Sequence, residues 1–583
     1  MSQYWKVDET MRIGQSYISI PSENGLEYKE NQKIQIFVDP STKYMDGKES
    51  YLDFNFKIDL PAGSPVPTRL QLDEMGGNSL IKNIRIYDGS RGNLLESLDS
   101  YSTLCAVRYD YDADDNMRNY RALREGSANW TPANRGTMGT SRTGMANTLS
   151  NPYFKKTSGN QNGSSFASSD FLTAKICIPL NTGIFAQNDH IFPIMMTNGL
   201  YLEIDTAPAS EVLKQLDSVV RTRRTPLNPF FHSLNGSIAA PNAWPNNAST
   251  FDTFYVASKN NLSGSDAVSK FPFVVGETLN FANYELAGAT TKLSAEATIS
   301  EINLSSNGLI EVKLVSAVSN DGSGAVPVTS ESFVLFSTAV ESSTSYDATY
   351  TISNVNLVVS QVHLDPNYEK GMIQKVKEGK AIEIDIMTAT NYKSSILASD
   401  RQTSIQIFSN NAMAKSLLVV PQDSTVYSAK EEISAVGTYE ILPDGDDDDT
   451  SLNSNRSAYT GICDELQEIQ YQIDGQGLVP SRPINVAKIA SQNSIDNFHL
   501  YELEKCLDNA GIVPRSFKAF RSNFVFGRGF AVNNGAVNLA GKNLAIILKY
   551  TGSQAPTKAK LFNSFIFHVR RLMIRENGIS VVF

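Results

Sequence analysis

Three sets of side chains in this sequence are of the types from which chemical sites are built. The first is an acidic run, Asp444-Gly445-Asp446-Asp447-Asp448-Asp449. It superficially matches a calcium loop, which needs glycine at its sixth position and a bidentate glutamate at its twelfth. Those positions hold Asp449 and Asn455, so a solvated acidic loop is the expected reading and weak divalent binding a minor one. The second set is the five histidines, His190, His232, His363, His499 and His568. None stands in an HxxxH or HExxH spacing, so each reads as a surface or packed residue rather than a metal ligand or a base. The third set is basic: Arg221, Arg223 and Arg224, then Arg570, Arg571 and Arg575. Without interleaved aromatics or a repeated spacing these read as solvated faces or salt-bridge partners. If the chain lines a compartment holding DNA, they are where contact is expected.

Motifs for nucleophiles and phosphates are missing too. No GxSxG, P-loop or GxGxxG occurs, and the two glycines of GRGF at Gly527 sit in an apolar strand context without phosphate-cradle spacing. Cys105, Cys177, Cys463 and Cys506 are scattered with no CxxC pair, so reduced, mostly buried thiols are expected rather than a zinc site or a disulfide framework. Carboxylate pairs for glycoside hydrolysis cannot be picked out of 61 acidic residues. No catalytic, cofactor-binding or metal-binding residue is therefore assigned, no cofactor is expected, and the chain reads as a non-enzyme. The balance of 61 acidic against 51 basic side chains gives −10, which excludes a globally nucleic-acid-binding surface. The start, MSQYWKVDETMRIGQ, lacks an apolar signal region, and no run of about 18 apolar residues is present, so neither a signal peptide nor a membrane span is expected.

With 41% apolar and 19% charged residues over 583 positions, the chain can build large cores. Period-two alternation dominates. It is cleanest in YLDFNFKIDL, at Leu52, Phe54, Phe56, Ile58 and Leu60, and recurs in KIQIFVD, FLTAKICIPL, GLYLEIDTAP, AIEIDIM, TSIQIFS, AKSLLVVPQD, KNLAIILKY and the terminal FNSFIFHVRRLMIRENGISVVF. The organising stretch is YTISNVNLVVSQVHLDPNY, with Val355, Leu357 and Val359 on one face. Pro366 should stop its pairing, so this strand is expected to close one β-domain and hand the chain to a second.

Helical spacing is limited. Leu94, Leu98, Tyr101 and Cys105 predict a helix from Leu94, Leu213, Leu216 and Val220 a short one over Ser210–Val220, and Leu500, Leu503 and Leu507 one that Ser494 or Asp496 caps and Gly511 ends. A bend or bulge is expected at Gly76-Gly77, a strand end at Pro421, a surface loop over 126–170 and a linker over 225–250. Both halves run strands, helix, loop, strands, but no residue-level repeat supports the duplication this suggests.

Five stretches, taken in order, resemble the double jelly-roll major capsid proteins of double-stranded DNA viruses, most of all the virophage and polinton-like type. They are SYLDFNFKIDL; GGNSLIKNIRIYDGSRGNLLESLDSY; YTISNVNLVVSQVHLDPNY with the following ATNYKSS; AKSLLVVPQD; and FIFHVRRLMIRENGISVVF. The resemblance implies an all-β fold of two eight-stranded jelly-roll barrels in tandem; composition and spacing add a few short helices and a small β-rich insertion, which departs from the family pattern. It implies an amino-terminal arm (1–30) lying inward or clasping a neighbour, a first roll (31–250) closed by 346–365, and a second roll (366–583). The Ser/Thr-rich 251–345 stretch is expected to be a small inserted barrel, a tower whose role is unassigned.

By the same resemblance three copies form a pseudo-hexagonal capsomer that tiles an icosahedral shell, so the location is the virion, after synthesis in the host cytoplasm. Expected partners are the chain itself as a homotrimer, penton and minor or cement capsid proteins, a host receptor at the outer loops, and genome DNA only indirectly. Two other classes compete. One is a carbohydrate- or receptor-binding surface protein (adhesin or fibre), which repeats, calcium motifs or a signal peptide would favour. The other is a β-sandwich carbohydrate-active enzyme, which would need aromatic platforms, whereas Trp5, Trp130 and Trp244 all lie in loop-like segments.

Overall fold

The computed structural model describes residues 3–4, 11–59, 69–73, 75–113, 117, 121, 124–126, 173–186, 191–216, 223–226, 250–256, 278–285, 292–304, 310–319, 334–337, 348–398, 400–423, 459, 461, 466–477, 483–486, 497–515, 524–530, 536–550, 559–576 and 578–582. Within them, the alternating segments form strands that pair antiparallel by one repeated rule. In the first half the strands are β1 (Arg12–Pro21), β2 (Lys33–Val38), β3 (Met45–Asp59), β4 (Ile81–Asp88), β5 (Leu94–Leu98), β6 (Ala174–Pro179), β7 (Leu200–Thr206) and β8 (Thr349–Leu364). First pairs with last and inward from there: β1 with β8, β2 with β7, β3 with β6, β4 with β5. Winding that ribbon over adds β8 to β3 and β7 to β4. Two sheets result, ordered β1-β8-β3-β6 and β2-β7-β4-β5. That order is a jelly roll, two Greek keys sharing one sandwich.

The second half comprises β9 (Ile382–Ile396), β10 (Gln402–Ser409), β11 (Ala414–Asp423), β12 (Leu466–Ile473), β13 (Ile484–Asn485), β14 (Phe526–Gly529), β15 (Lys542–Tyr550) and β16 (Lys560–Arg575). Every pair of the first half recurs here with both labels raised by eight. The helices follow suit: α1 (Tyr101–Tyr111) lies between β5 and β6, and α3 (Asn497–Asn509) between β13 and β14. The duplication suggested by element order is therefore real at the level of topology. A last strand, β17 (Gly578–Val582), folds back on β16.

β8 occupies the middle of its sheet, between β1 and β3, and buries Val355, Leu357 and Val359 completely. It stops at Leu364, as the following proline demands. What comes next was not legible: Asp365 accepts hydrogen bonds from the backbone N–H of Asn367 (2.9 Å) and Tyr368 (3.2 Å), and Pro366 opens a helix, α2 (Pro366–Lys377). Asp followed by Pro is a helix-start signal, because proline's missing N–H costs nothing in a first turn.

Other expectations are corrected. The 1–30 stretch is not an arm throughout, since Arg12–Pro21 is an integral strand and Glu27–Tyr28 also pairs with β8; Gln3–Tyr4 pairs parallel with Ile382–Glu383 of the second roll. The helix expected from Leu94 begins at Tyr101, after Ser100 takes a left-handed conformation (φ 56°); Leu94–Leu98 is strand β5. The helix expected over Ser210–Val220 is one turn, Ala209–Val212, running into a strand, Leu213–Leu216, that pairs with Arg69–Leu72. Gly76-Gly77 opens a 3-10 turn rather than a bulge. Pro421 does not end β11, which continues to Asp423; it lies beyond the last β14 pair, at Val419, where the strand keeps only its β16 ladder and a proline is tolerated.

The inserted segment forms a six-stranded antiparallel sheet, ordered 223–226, 334–337, 278–285, 292–304, 310–319, 250–256. It starts at Arg223, upstream of the expected 251 boundary and just ahead of the supposed linker, and its pairing is an open path rather than a barrel among the described residues. It buries Ala297, Ile299, Ile302, Val312 and Leu314 apart from the main core, whereas both rolls contribute to one continuous core. The 126–170 loop (beyond Gly126) and the capping positions Ser494 and Asp496 lie outside the described residues.

Gly527 on β14 shows why a glycine pair was needed in GRGF. A Cβ there would stand 2.5 Å from the Cys506 sulfur on α3 and 2.7 Å from the Leu417 carbonyl oxygen. Gly527→Ala is expected to push α3 off β14 and destabilise the chain by about 1–3 kcal/mol. Urea unfolding measures this, and an unchanged midpoint would show that the helix has slack.

Candidate functional site

The described residues converge most densely on polar contacts where the two rolls meet. β5, α1 and the turn after β6 come from the first roll, and β9, β16 and the end of α3 from the second. At the centre is Glu96, fully buried on β5. Its carboxylate accepts hydrogen bonds from the backbone N–H of Gly183 (2.5 Å) and Ile184 (3.0 Å) in its own roll, and from the Thr388 hydroxyl (2.8 Å) on β9. Arg570 on β16 donates through Nη1 to the Leu95 carbonyl (2.8 Å), which places its charge beside Glu96. Burial pushes the Glu96 carboxyl up; the hydrogen bonds from Gly183, Thr388 and Ile184 and the charge of Arg570 pull the other way.

Magnitudes show what this buried acid is for. Desolvating a carboxylate costs several kcal/mol, while each hydrogen bond to a charged group returns about 1.5–3 kcal/mol. Burial outweighs the donors, as the raised carboxyl shows, so Glu96 adds little net stability. It does select one placement of the rolls, because in any other the carboxylate loses its Thr388 donor while still buried.

Around this point the backbones approach closely. A Cβ on Gly183 would stand 2.6 Å from the Met387 carbonyl oxygen. The Arg515 N–H donates to the Tyr111 carbonyl (2.7 Å), satisfying the end of α1 from the other roll, and Arg515 pairs with Asp112 at 3.7 Å. The Tyr459 hydroxyl reaches the Ser79 carbonyl at 3.3 Å. A cavity of about 440 Å³ opens beside the contact, lined by Glu96, Leu104, Arg108 and Asn181 from one roll and Asp385, Met387, Ala510 and Phe567 from the other.

The basic residues flagged near the terminus are brought here and used internally. Arg571 grips Asp385 with two hydrogen bonds (2.7 and 2.8 Å) and pairs with Glu383 at 3.2 Å, while Arg570 serves the seam. Arg571 is an ion-pair partner, the alternative weighed against a DNA contact, and Arg570 bonds a backbone carbonyl; Arg575 is exposed. Arg223 and Arg224 lie in a strand of the inserted sheet, and Arg221 falls outside the described residues, as do His190, His232, Cys463, the 444–449 run, Asn455 and the three tryptophans.

The remaining histidines are packed or on the surface: His363 meets the Ser16 hydroxyl (3.1 Å), His499 stacks on Phe524, and His568 is buried against the Thr390 hydroxyl (2.9 Å). Cys105 and Cys506 are buried and Cys177 half-buried; burial pushes the Cys506 thiol up to about 12. Glu96 was missed because LLESL was read as helix. The available signal was a lone carboxylate at an inward position between leucines.

No family model matches the sequence, and no curated protein matches it. Solved structures do. The chain is similar to the Faustovirus major capsid protein (9% identity, 96% of this chain and 90% of that chain, TM-score 0.47) and to the cryo-EM structure of the Sputnik virophage (8% identity, 100% and 91%, TM-score 0.43). It is also similar to the mavirus major capsid protein (12% identity, 99% and 92%, TM-score 0.37). The jelly-roll assignment rests on the chain's own strand order, which needs none of these. No helix among the described residues is long and apolar enough to cross a membrane.

Two predictions follow from the seam. Gly183→Ala is expected to lever the rolls apart at Met387 and cost about 1–3 kcal/mol, read as a lower denaturant midpoint. His568 sets an acid limit. Burial, then the neighbouring Arg570 charge, holds its pKa down at about 4. A depressed histidine contributes stability that is complete above its unfolded pKa near 6.5 and is lost as pH falls through about 4. The loss is about 3 kcal/mol at the full shift. His568→Gln should flatten the stability profile between pH 6.5 and 4, and a parallel profile would refute the assignment.

Proposed function

We propose that this chain is a structural protein of a virus shell, the major capsid protein of a double-stranded DNA virus of the virophage or polinton-like type, with no catalytic role. The observation that carries the reading is the repeated pairing rule: two jelly rolls of one topology, side by side, sharing one core and locked by a polar seam. A chain of that design presents two similar units at a set angle. Three copies then make a ring of six similar units, the shape that tiles a flat hexagonal facet.

In this reading the units are a first roll (31–250 closed by 346–365, its first strand starting at Arg12), an inserted unit (251–345, reaching back to Arg223) and a second roll (366–583). The insertion fits an outward projection. It interrupts the β7–β8 connection and keeps its own buried residues, so its surface can vary without disturbing the rolls. Receptor contact belongs there, penton and cement proteins belong at capsomer edges, and genome contact is indirect. The protein works in the virion.

Light scattering on the purified chain, followed by electron microscopy of the peak, tests the proposal. Discrete particles of about 190 kDa, three copies of the 64.0 kDa chain, with a hexagonal outline, or closed shells, are expected. A well-behaved monomer that forms neither would overturn it.

A further inference from the structure

The cavity beside the seam has the size of a small-molecule site, about 440 Å³ where such sites run to roughly 300–1,000 Å³. Apolar side chains of both rolls wall it, Leu98 and Leu104 from the first and Ile386, Met387, Phe567 and Val569 from the second. Ala186 and Gly511 also line it and are exposed, so it reaches solvent. Three charged side chains face it: Glu96, Asp385 and Arg108. The two carboxylates are already engaged. Glu96 accepts from Gly183, Ile184 and Thr388, and both oxygens of Asp385 accept from Arg571. Arg108, in the last turn of α1, is not. Its side chain makes no hydrogen bond or ion pair among the described residues, and its Nε is buried with no acceptor. Asp112, whose carboxyl its charge pulls down, is paired instead with Arg515 at 3.7 Å. A cation at the end of α1 suits the helix dipole, but that role asks for no burial of the fork. Buried polar atoms nearly always have a partner, so this Nε calls for an acceptor.

We propose that this cavity binds an aliphatic monocarboxylate, its carboxylate on the Arg108 guanidinium and its hydrocarbon chain along the apolar walls between the rolls. The lining selects that class. A guanidinium fork matches a carboxylate with two parallel N–H bonds, and the leucines, Ile386, Met387, Phe567 and Val569 offer a hydrocarbon chain the surface it prefers to water. A phosphate monoester carries more charge than one arginine answers, and it would sit beside Glu96 and Asp385. An amine would find both of those carboxylates already bonded. A ligand held this way touches both rolls at once, so its binding adds to the seam. Binding there is independent of the shell reading, since it needs only the two rolls of one chain.

Titration calorimetry of the purified full chain with octanoate, octanol and octylamine tests this. Octanoate is expected to fill a single saturable site, held roughly tenfold or more tighter than the neutral or the cationic analogue. Arg108→Gln should bring octanoate down to the level of octanol and leave octanol where it was. Thermal unfolding gives a second reading: saturating octanoate should raise the midpoint of the wild-type chain, because it binds only the folded seam, and should not raise that of Arg108→Gln. Octanol or octylamine held as tightly as octanoate would overturn the assignment, the amine by making Glu96 and Asp385 the polar end. So would octanoate binding that Arg108→Gln leaves unchanged. No saturable uptake of octanoate would leave water as the partner of Arg108 and overturn it equally. The comparison of the three compounds on the wild-type chain stands even where the variant fails to fold.

Discussion

A carboxylate buried between two apolar sandwiches has to find its donors on both sides, and that constraint sets the geometry of the whole molecule. Glu96 is held by two backbone N–H groups of its own roll and by the Thr388 hydroxyl of the other. Apolar packing alone would let one sandwich slide on the other at small cost, since the hydrophobic effect has no direction. The directional bonds to Glu96, the Gly183 approach to Met387 and the Arg515 bond to the end of α1 remove that freedom. In the shell reading a tile must repeat without accumulating angular error, so a seam that favours one placement would serve it better than a merely strong one.

The two rolls share a topology without sharing a sequence repeat, and the physics of the sandwich explains how. Pairing the first strand with the last and winding the ribbon over requires only alternation, workable turns and enough apolar volume. Ile, Val, Leu and Phe can trade places in such a core at modest cost when total volume is kept. The glycines are less free. Gly527 and Gly183 each stand where a Cβ would strike a neighbouring backbone or side chain, one under α3 and one across the seam.

Strands with one buried face were legible because their period of two is written in the residues. Residues 51–59, Leu200–Thr206 and the terminal FNSFIFHVRRLMIR all lie in strands of the rolls, and the family resemblance, drawn from their order, anticipated the two eight-stranded rolls. The errors cluster where local pattern and tertiary context disagree. Leu94, Leu98, Tyr101 and Cys105 have helical spacing, but the first two belong to a strand and the last two to a helix, with left-handed Ser100 between them. α2 went unseen because its proline was read only as a strand breaker. The seam was the least legible part. Its chemistry depends on which surfaces of two rolls meet, and no spacing within either roll records that.

The difference between α1 and α3 was partly visible in the residues. α1, YSTLCAVRYDY, carries few charges and has no polar face, as befits a helix covered all round. α3, NFHLYELEKCLDN, places Glu504, Lys505 and Asp508 opposite Leu503, Cys506 and Leu507. That amphipathic pattern suits a helix with one face on its own roll and the other in water. A fully apolar α3 would expose an apolar stripe on that outer face and invite indiscriminate association.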